Sequence, residues 1–256
     1  MKTINDQLRD LYISKFSEGT PCFLQQLREK RRLDNTKEQP AYPLLLKINE
    51  ENYRNADLRI MIFGQETNSW EHEVSSELIP MNQSIDFTEQ TVNAFMDYYR
   101  LFLNNKLTQK GIKSPFWNAH NKIYENLTGR KVDIVWNNIY KIGNKLKDHN
   151  RPHESIRQME NASFDVISNE IEILKPDVLV FFTGPNYEAR VNKKFHINET
   201  NEISGVPIRE LAKISIANEI LAYRTYHPGY LQRKETDYLK LIINEFKGYN
   251  RSKDAL

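Results

Sequence analysis

Gln65 and Glu66 close the run Arg59-Ile60-Met61-Ile62-Phe63-Gly64 and are followed by Thr67-Asn68-Ser69-Trp70. A carboxylate can orient a water or stabilise a developing positive charge, and an amide beside it can bind a polar edge. Near the other end, His227 follows Ala222-Tyr223-Arg224-Thr225-Tyr226 and leads into Pro228-Gly229-Tyr230-Leu231. A neutral imidazole there can donate one hydrogen bond to a developing negative charge. These groups lie far apart along the chain, so only the fold can bring them to one place.

The surrounding residues say which elements do this. Ile60 to Phe63 is apolar without alternation, as expected of a strand buried on both faces in a parallel sheet. Gly64 predicts a sharp turn that leaves Glu66 at the lip of the sheet, where open α/β sheets bind ligands. Pro228 and Gly229 likewise predict that the last strand stops at His227. Two more runs have the same form. Val132-Asp133-Ile134-Val135-Trp136 ends at Asn137-Asn138, and Asp177-Val178-Leu179-Val180-Phe181-Phe182 ends at Thr183-Gly184-Pro185-Asn186. Of the two asparagines only one can face the site, because neighbours on a strand point to opposite sides.

Helices fill the intervals. Residues 1–50 read as a helical preface packed on the same domain, with Leu8, Leu11, Tyr12 and Phe16 at helical spacing, then Phe23, Leu24, Leu27 and Leu33. Residues 88–108 predict a long amphipathic helix whose stripe is Val92, Phe95, Met96, Tyr99 and Leu103, a core-facing pattern. A helix is expected over Ser163–Leu174, ending before Lys175-Pro176, and another over Asp237–Phe246. Turn signals at Ser204-Gly205 and Pro207 predict an excursion or short hairpin between Lys193 and Asn218. The fold class is therefore α/β: a three-layer α/β/α sandwich with a short, mainly parallel central sheet, residues 51–256 forming the main domain.

Composition narrows the function classes. Hydrophobic residues make up 39% and charged residues 27%, ordinary for a globular protein, and the formal net charge of +2 gives no global basic field. Arg28 to Arg32 reads as a solvated face, whereas Arg233-Lys234 stands close enough to His227 to meet a phosphate. Cys22 is the only cysteine, which rules out an internal disulfide and any zinc or iron–sulfur site built from several cysteines. His149 and His153 are separated by Pro152 and make no helical metal pair. No metal and no cofactor are expected. Residues 1–17 do not read as a signal peptide and no run is long enough to span a membrane, so no membrane partner and a cytoplasmic location are expected.

In order and content these segments resemble the uracil-DNA glycosylase superfamily over roughly residues 55–245. Gly64-Gln65-Glu66-Thr67-Asn68 stands where that family has a Gly-Gln-Asp-Pro-Tyr-like motif. Ser114-Pro115-Phe116-Trp117-Asn118 resembles its loop into a helix, Asn137 its base-reading asparagine, Thr183-Gly184 a strand-end motif, and His227-Pro228-Gly229-Tyr230-Leu231 its His-Pro-Ser-Pro-Leu-like loop. Three departures are evident: Glu66 replaces an aspartate and is one methylene longer, Thr67-Asn68 replaces Pro-Tyr, and Gly229 replaces a phosphate-contacting serine.

The resemblance implies hydrolysis of an N-glycosidic bond in DNA, single- or double-stranded and uracil-containing, by a monomer that extrudes the base. Glu66 then stabilises positive charge on the sugar and positions water, and His227 donates to the base oxyanion. Gln65 and Asn137 bind the base edge, and Trp70, or else Phe87, stacks on it. Leu231 enters the gap left in the duplex, and Ser114, Arg233 and Lys234 contact the strand. Two other classes use the same residues: an N-glycosyl hydrolase of free nucleosides, and a non-catalytic member that binds nucleic acid or a protein partner.

Overall fold

The computed structural model describes residues 2–32, 38–67, 70, 88–108, 114–127, 129–145, 151–216, 220–231 and 237–249. In chain order its elements are α1 (Ile4–Ser17), α2 (Phe23–Arg32), α3 (Glu50–Arg54), β1 (Leu58–Glu66), α4 (Thr88–Thr108), α5 (Pro115–Asn126) and β2 (Val132–Tyr140). Then come α6 (Glu154–Ser163), α7 (Ile167–Leu174), β3 (Val178–Phe181), α8 (Glu188–Lys194), β4 (Ile197–Glu202), β5 (Leu211–Ile216), β6 (Ile220–Thr225), α9 (Pro228–Leu231) and α10 (Tyr238–Gly248). The expected α/β class with a mainly parallel central sheet is what the chain adopts.

The six strands run in the order β2-β1-β3-β6-β5-β4. β1, β3 and β6 are parallel neighbours, with Ile62 opposite Val180 and Val180 opposite Tyr223. The apolar side chains of β1 and β3 are buried along the whole paired length, as are Ala222 and Tyr223 of β6, which is why these runs lack the alternation of a half-solvated strand. The amides of Asp57 and Leu58 both donate to the Lys131 carbonyl, so β1 and β2 set out side by side. At the start of β3, the Asp177 carboxylate accepts from the Arg59 amide at 2.7 Å and pairs with its guanidinium, which pins the register of β1 against β3.

Several boundaries differ from expectation, each for a physical reason. Gly64 makes no turn: β1 continues through Gln65 and Glu66. β2 continues through Asn137 and Asn138 to Tyr140, because both asparagines are buried among Trp136, Ile139 and Tyr140. The helix expected over Ser163–Leu174 begins only at Ile167, as α7, and Ser163 instead ends a separate helix, α6. The Phe164 amide caps α6 by donating to the Glu160 carbonyl at 2.7 Å, and Phe164 and Val166 are buried between the two. The hairpin expected as one option between Lys193 and Asn218 is present as β4 and β5, and it extends the sheet antiparallel to β6, with Ile214 opposite Ala222.

The chain divides into two compact units, one of residues 1–48, 66–105 and 138–174, the other of residues 49–65, 106–137 and 175–256. In the first, Leu8, Tyr12 and Phe16 of α1 are buried, and α4 buries the stripe Val92, Phe95, Met96, Tyr99 and Leu103. Phe16 meets Phe23 and Phe164 edge to face. This unit also encloses an ion pair: the Lys141 ammonium donates to Glu170 Oε1 at 2.7 Å, and the Tyr12 hydroxyl donates to the same oxygen at 2.6 Å. In the second unit α10 buries Leu239, Ile242, Ile243 and Phe246. Its Asp237 N-cap accepts from the Lys240 amide.

Candidate active site

Three parallel strands of the second unit end together, and hydrogen bonds join their ends in series. The Phe182 amide donates to the Phe63 carbonyl, and the Gln65 side-chain amide donates to the Thr183 carbonyl at 2.8 Å. The Gly184 amide then donates to the Thr225 carbonyl at 3.0 Å, two residues before His227. Gln65 and His227 are thereby brought to one edge of the sheet, the carboxyl edge at which open α/β sheets bind ligands. The Thr183 hydroxyl lies at the same edge, fully buried and without a hydrogen-bond partner among the described residues.

His227 is set by the turn that follows it. Proline at the first position of α9 suits a helix start, since its missing N–H would be unsatisfied there in any case. The amides of Tyr230 and Leu231 donate to the His227 carbonyl, and the Gly229 amide donates to His227 Nδ1 at 3.1 Å. A ring nitrogen that accepts from an amide carries a lone pair, which assigns the imidazole proton to Nε2. Burial lowers the pKa of His227 from its ordinary value, because desolvation penalises the charged form. The result is a neutral imidazole that presents an Nε2–H donor.

Phe116 supports the ring. Ser114 is the N-cap of α5 and Pro115 begins it, so Phe116 projects from the first turn and lies over His227 with ring centroids 6.2 Å apart and planes within 23°. Phe116 also meets Trp136 of β2 and Phe182 at the end of β3 edge to face. Gly229 packs closely against this arrangement, for a Cβ built there falls 3.3 Å from His227 Nδ1 and 3.9 Å from Pro115. Asn137 is fully buried on β2, where its amide donates to Met61 Sδ at 3.8 Å. Sulfur is a weak acceptor, so this contact is easily replaced by an oxygen. Leu231 is half-buried at the end of α9.

The other unit holds the remaining described candidates. Glu66 is half-buried as the last residue of β1. Thr67, next to it, is buried and accepts from the Gly143 amide at 2.9 Å. A Cβ at Gly143 would overlap the Thr67 carbonyl, so only glycine permits this approach. Trp70 is buried and meets Tyr98 and Phe102 of α4 edge to face, so stacking on a base would require it to leave that packing. Phe87, Arg233 and Lys234 lie outside the described residues.

Two contacts were not foreseen from the sequence: Phe116 against His227, and the Thr183 carbonyl that holds Gln65. The Ser-Pro before Phe116 was the available signal for the first, since it starts a helix with the aromatic in its opening turn. Backbone acceptors such as the second leave no trace in residue type. Among the described residues no group of three or more His, Cys, Asp or Glu is placed to hold a metal ion, and no helix is long and apolar enough to cross a membrane.

No curated protein matches the chain. The family model described as the uracil DNA glycosylase superfamily matches residues 51–247, a span that contains β1 to β6 and every candidate residue named above. By that match the chain belongs to the uracil-DNA glycosylase superfamily.

Proposed function

We propose that this protein hydrolyses the N-glycosidic bond of uracil, or a related modified base, in DNA. Membership of the superfamily supports a DNA-glycosylase-like function and a DNA substrate in general terms. The observation that carries the finer reading is His227: a half-buried, neutral imidazole whose Nδ1 is occupied by the Gly229 amide and whose proton sits on Nε2. This is the state needed to donate a hydrogen bond to an anionic leaving base without first transferring a proton.

In this reading the base is extruded from the strand and bound at the carboxyl edge of β1, β3 and β6. The bond between C1′ and the base nitrogen breaks, its electron pair leaves with the base, and negative charge collects on a ring oxygen that accepts from His227 Nε2–H. The sugar becomes oxocarbenium-like, and Glu66 stabilises that charge. Water then adds its oxygen to C1′ and gives its proton to the Glu66 carboxylate. Asn137 exchanges the Met61 sulfur for the polar edge of the base. Trp70 or Phe87 stacks on the base, with Phe116, which lies against His227, as a further aromatic candidate. Gln65 holds the strand ends in register and lines the edge, while Ser114, Leu231, Arg233 and Lys234 contact the DNA.

A second reading is favoured by the formal net charge of +2: a hydrolase of free nucleosides needs the same groups and no basic field. One experiment separates the two. End-labelled oligonucleotides with one uracil, single- and double-stranded, are incubated with the protein, and abasic sites are cleaved with alkali; deoxyuridine is assayed in parallel. Scission at the uracil supports the glycosylase. Intact oligonucleotides with hydrolysed deoxyuridine support the nucleosidase.

A further inference from the structure

Tyr230 stands out among the side chains around His227. Four large apolar side chains are exposed among the described residues: Leu101, Tyr124, Ile208 and Tyr230. Of these, Tyr230 is fixed to the proposed catalytic group by backbone, since its amide donates to the His227 carbonyl at 2.8 Å within the single turn of α9. Tyr230 is 45% exposed. Tyr226, the residue before His227, braces it with ring centroids 4.7 Å apart and planes inclined at 48°. Tyr226 in turn lies against Gly184 at the end of β3, where a Cβ would fall 3.7 Å from its ring. The two tyrosines thus form a small aromatic shelf whose outer member, Tyr230, is exposed and stands three residues along the chain from His227.

We propose that this shelf stacks an unpaired base next to the extruded one, and that single-stranded or locally unpaired DNA is the preferred substrate. The proposal rests on the DNA-glycosylase reading of the His227 site. Every base has a π-face on which an aromatic side chain can stack, but in a duplex both faces are covered by neighbouring pairs. Stacking is also the contact that suits this chain, because a formal net charge of +2 supplies little attraction for the dense phosphates of duplex DNA.

The test uses the full chain and a fluorescein-labelled DNA strand of about 15 nucleotides, free of uracil, alone and as a duplex, with binding followed by anisotropy. The expected result is that the single strand binds more tightly than the duplex and with a shallow salt dependence. Tyr230→Ala and Tyr230→Leu should each weaken single-strand binding about tenfold, the scale of one lost base–aromatic stack. Tyr230→Phe should bind as the wild type does, and unchanged melting temperatures confirm that each variant is folded. Equal binding by Tyr230→Ala, a duplex bound as tightly as the single strand, or no binding to either overturns the proposal. Uracil release is measured beside it. Tyr230-dependent binding without release leaves the shelf standing and removes the glycosylase, whereas release that Tyr230→Ala does not alter does the reverse.

Discussion

The Gly229 amide donates to Nδ1 of His227 at 3.1 Å, and this bond makes the imidazole a one-proton donor with its hydrogen on Nε2. Protonating Nδ1 would turn an acceptor toward a donor and break it, so the bond and burial act together to keep the ring neutral.

A depressed pKa has a definite sign in the pH profile. The neutral ring is the working form, and burial lowers its pKa below the ordinary 6.5. The acid limb of kcat/KM attributed to His227 should therefore lie below pH 6.5. His227→Ala should lower kcat by about 100-fold or more, as removal of an oxyanion donor does. Single-turnover base release between pH 5 and 8, with 15N shifts of the imidazole, measures both.

Glu66 should act through its charge. Glu66→Gln keeps the shape and removes the carboxylate, and should lower base release by about 100-fold or more while melting is unchanged. Glu66→Asp shortens the reach by one methylene and should retain more activity than the Gln variant. Parallel single-turnover rates decide this, and equal rates for wild type and Glu66→Gln would remove Glu66 from the site.

Gly143 should be irreplaceable for a reason unrelated to chemistry. A methyl group there would overlap the Thr67 carbonyl, so the backbone next to Glu66 must move. Gly143→Ala should destabilise the protein by about 1–3 kcal/mol, the usual range for overpacking, as measured by urea unfolding.

His120 should make stability depend on pH. It is 2% exposed on α5, its pKa is lowered to about 4 by desolvation, and its Nε2 has no hydrogen-bond partner among the described residues. The unfolded chain binds a proton near pH 6.5 that the folded chain refuses until about pH 4. The contribution of His120 is thus fully present above pH 6.5 and is lost as pH falls toward 4. Between pH 7 and pH 5 the loss is about 2 kcal/mol. Urea unfolding of wild type and His120→Leu at both pH values isolates it, because the difference between the two proteins should change by that amount.

The cores of β1 and β3 were legible because each is an uninterrupted apolar run, and the stripe of α4 because Val92 to Leu103 keeps a helical period. What misled was the reading of polar residues as strand ends. Asn137 and Asn138 continue β2 because both are buried, and Gly64 lies within β1 because Gln65 finds the Thr183 carbonyl beyond it. Likewise the sequence placed an excursion or short hairpin before the last strand, but not the antiparallel pairing by which β5 joins β6, the next strand in the chain, and so extends the sheet. The sequence named Gln65 and His227 by type and order, and the fold brings them to one edge of the sheet, but the proton on Nε2 of His227 depends on the Gly229 amide, a backbone donor that leaves no trace in residue type.

The most direct measurement is single-turnover release of uracil from a single-stranded oligonucleotide by the wild type and by His227→Ala, scored as alkali-labile scission. Scission by the wild type, slowed about 100-fold or more in the variant, is the predicted result. Scission at equal rates in both proteins, or an oligonucleotide left intact by the wild type, would contradict it.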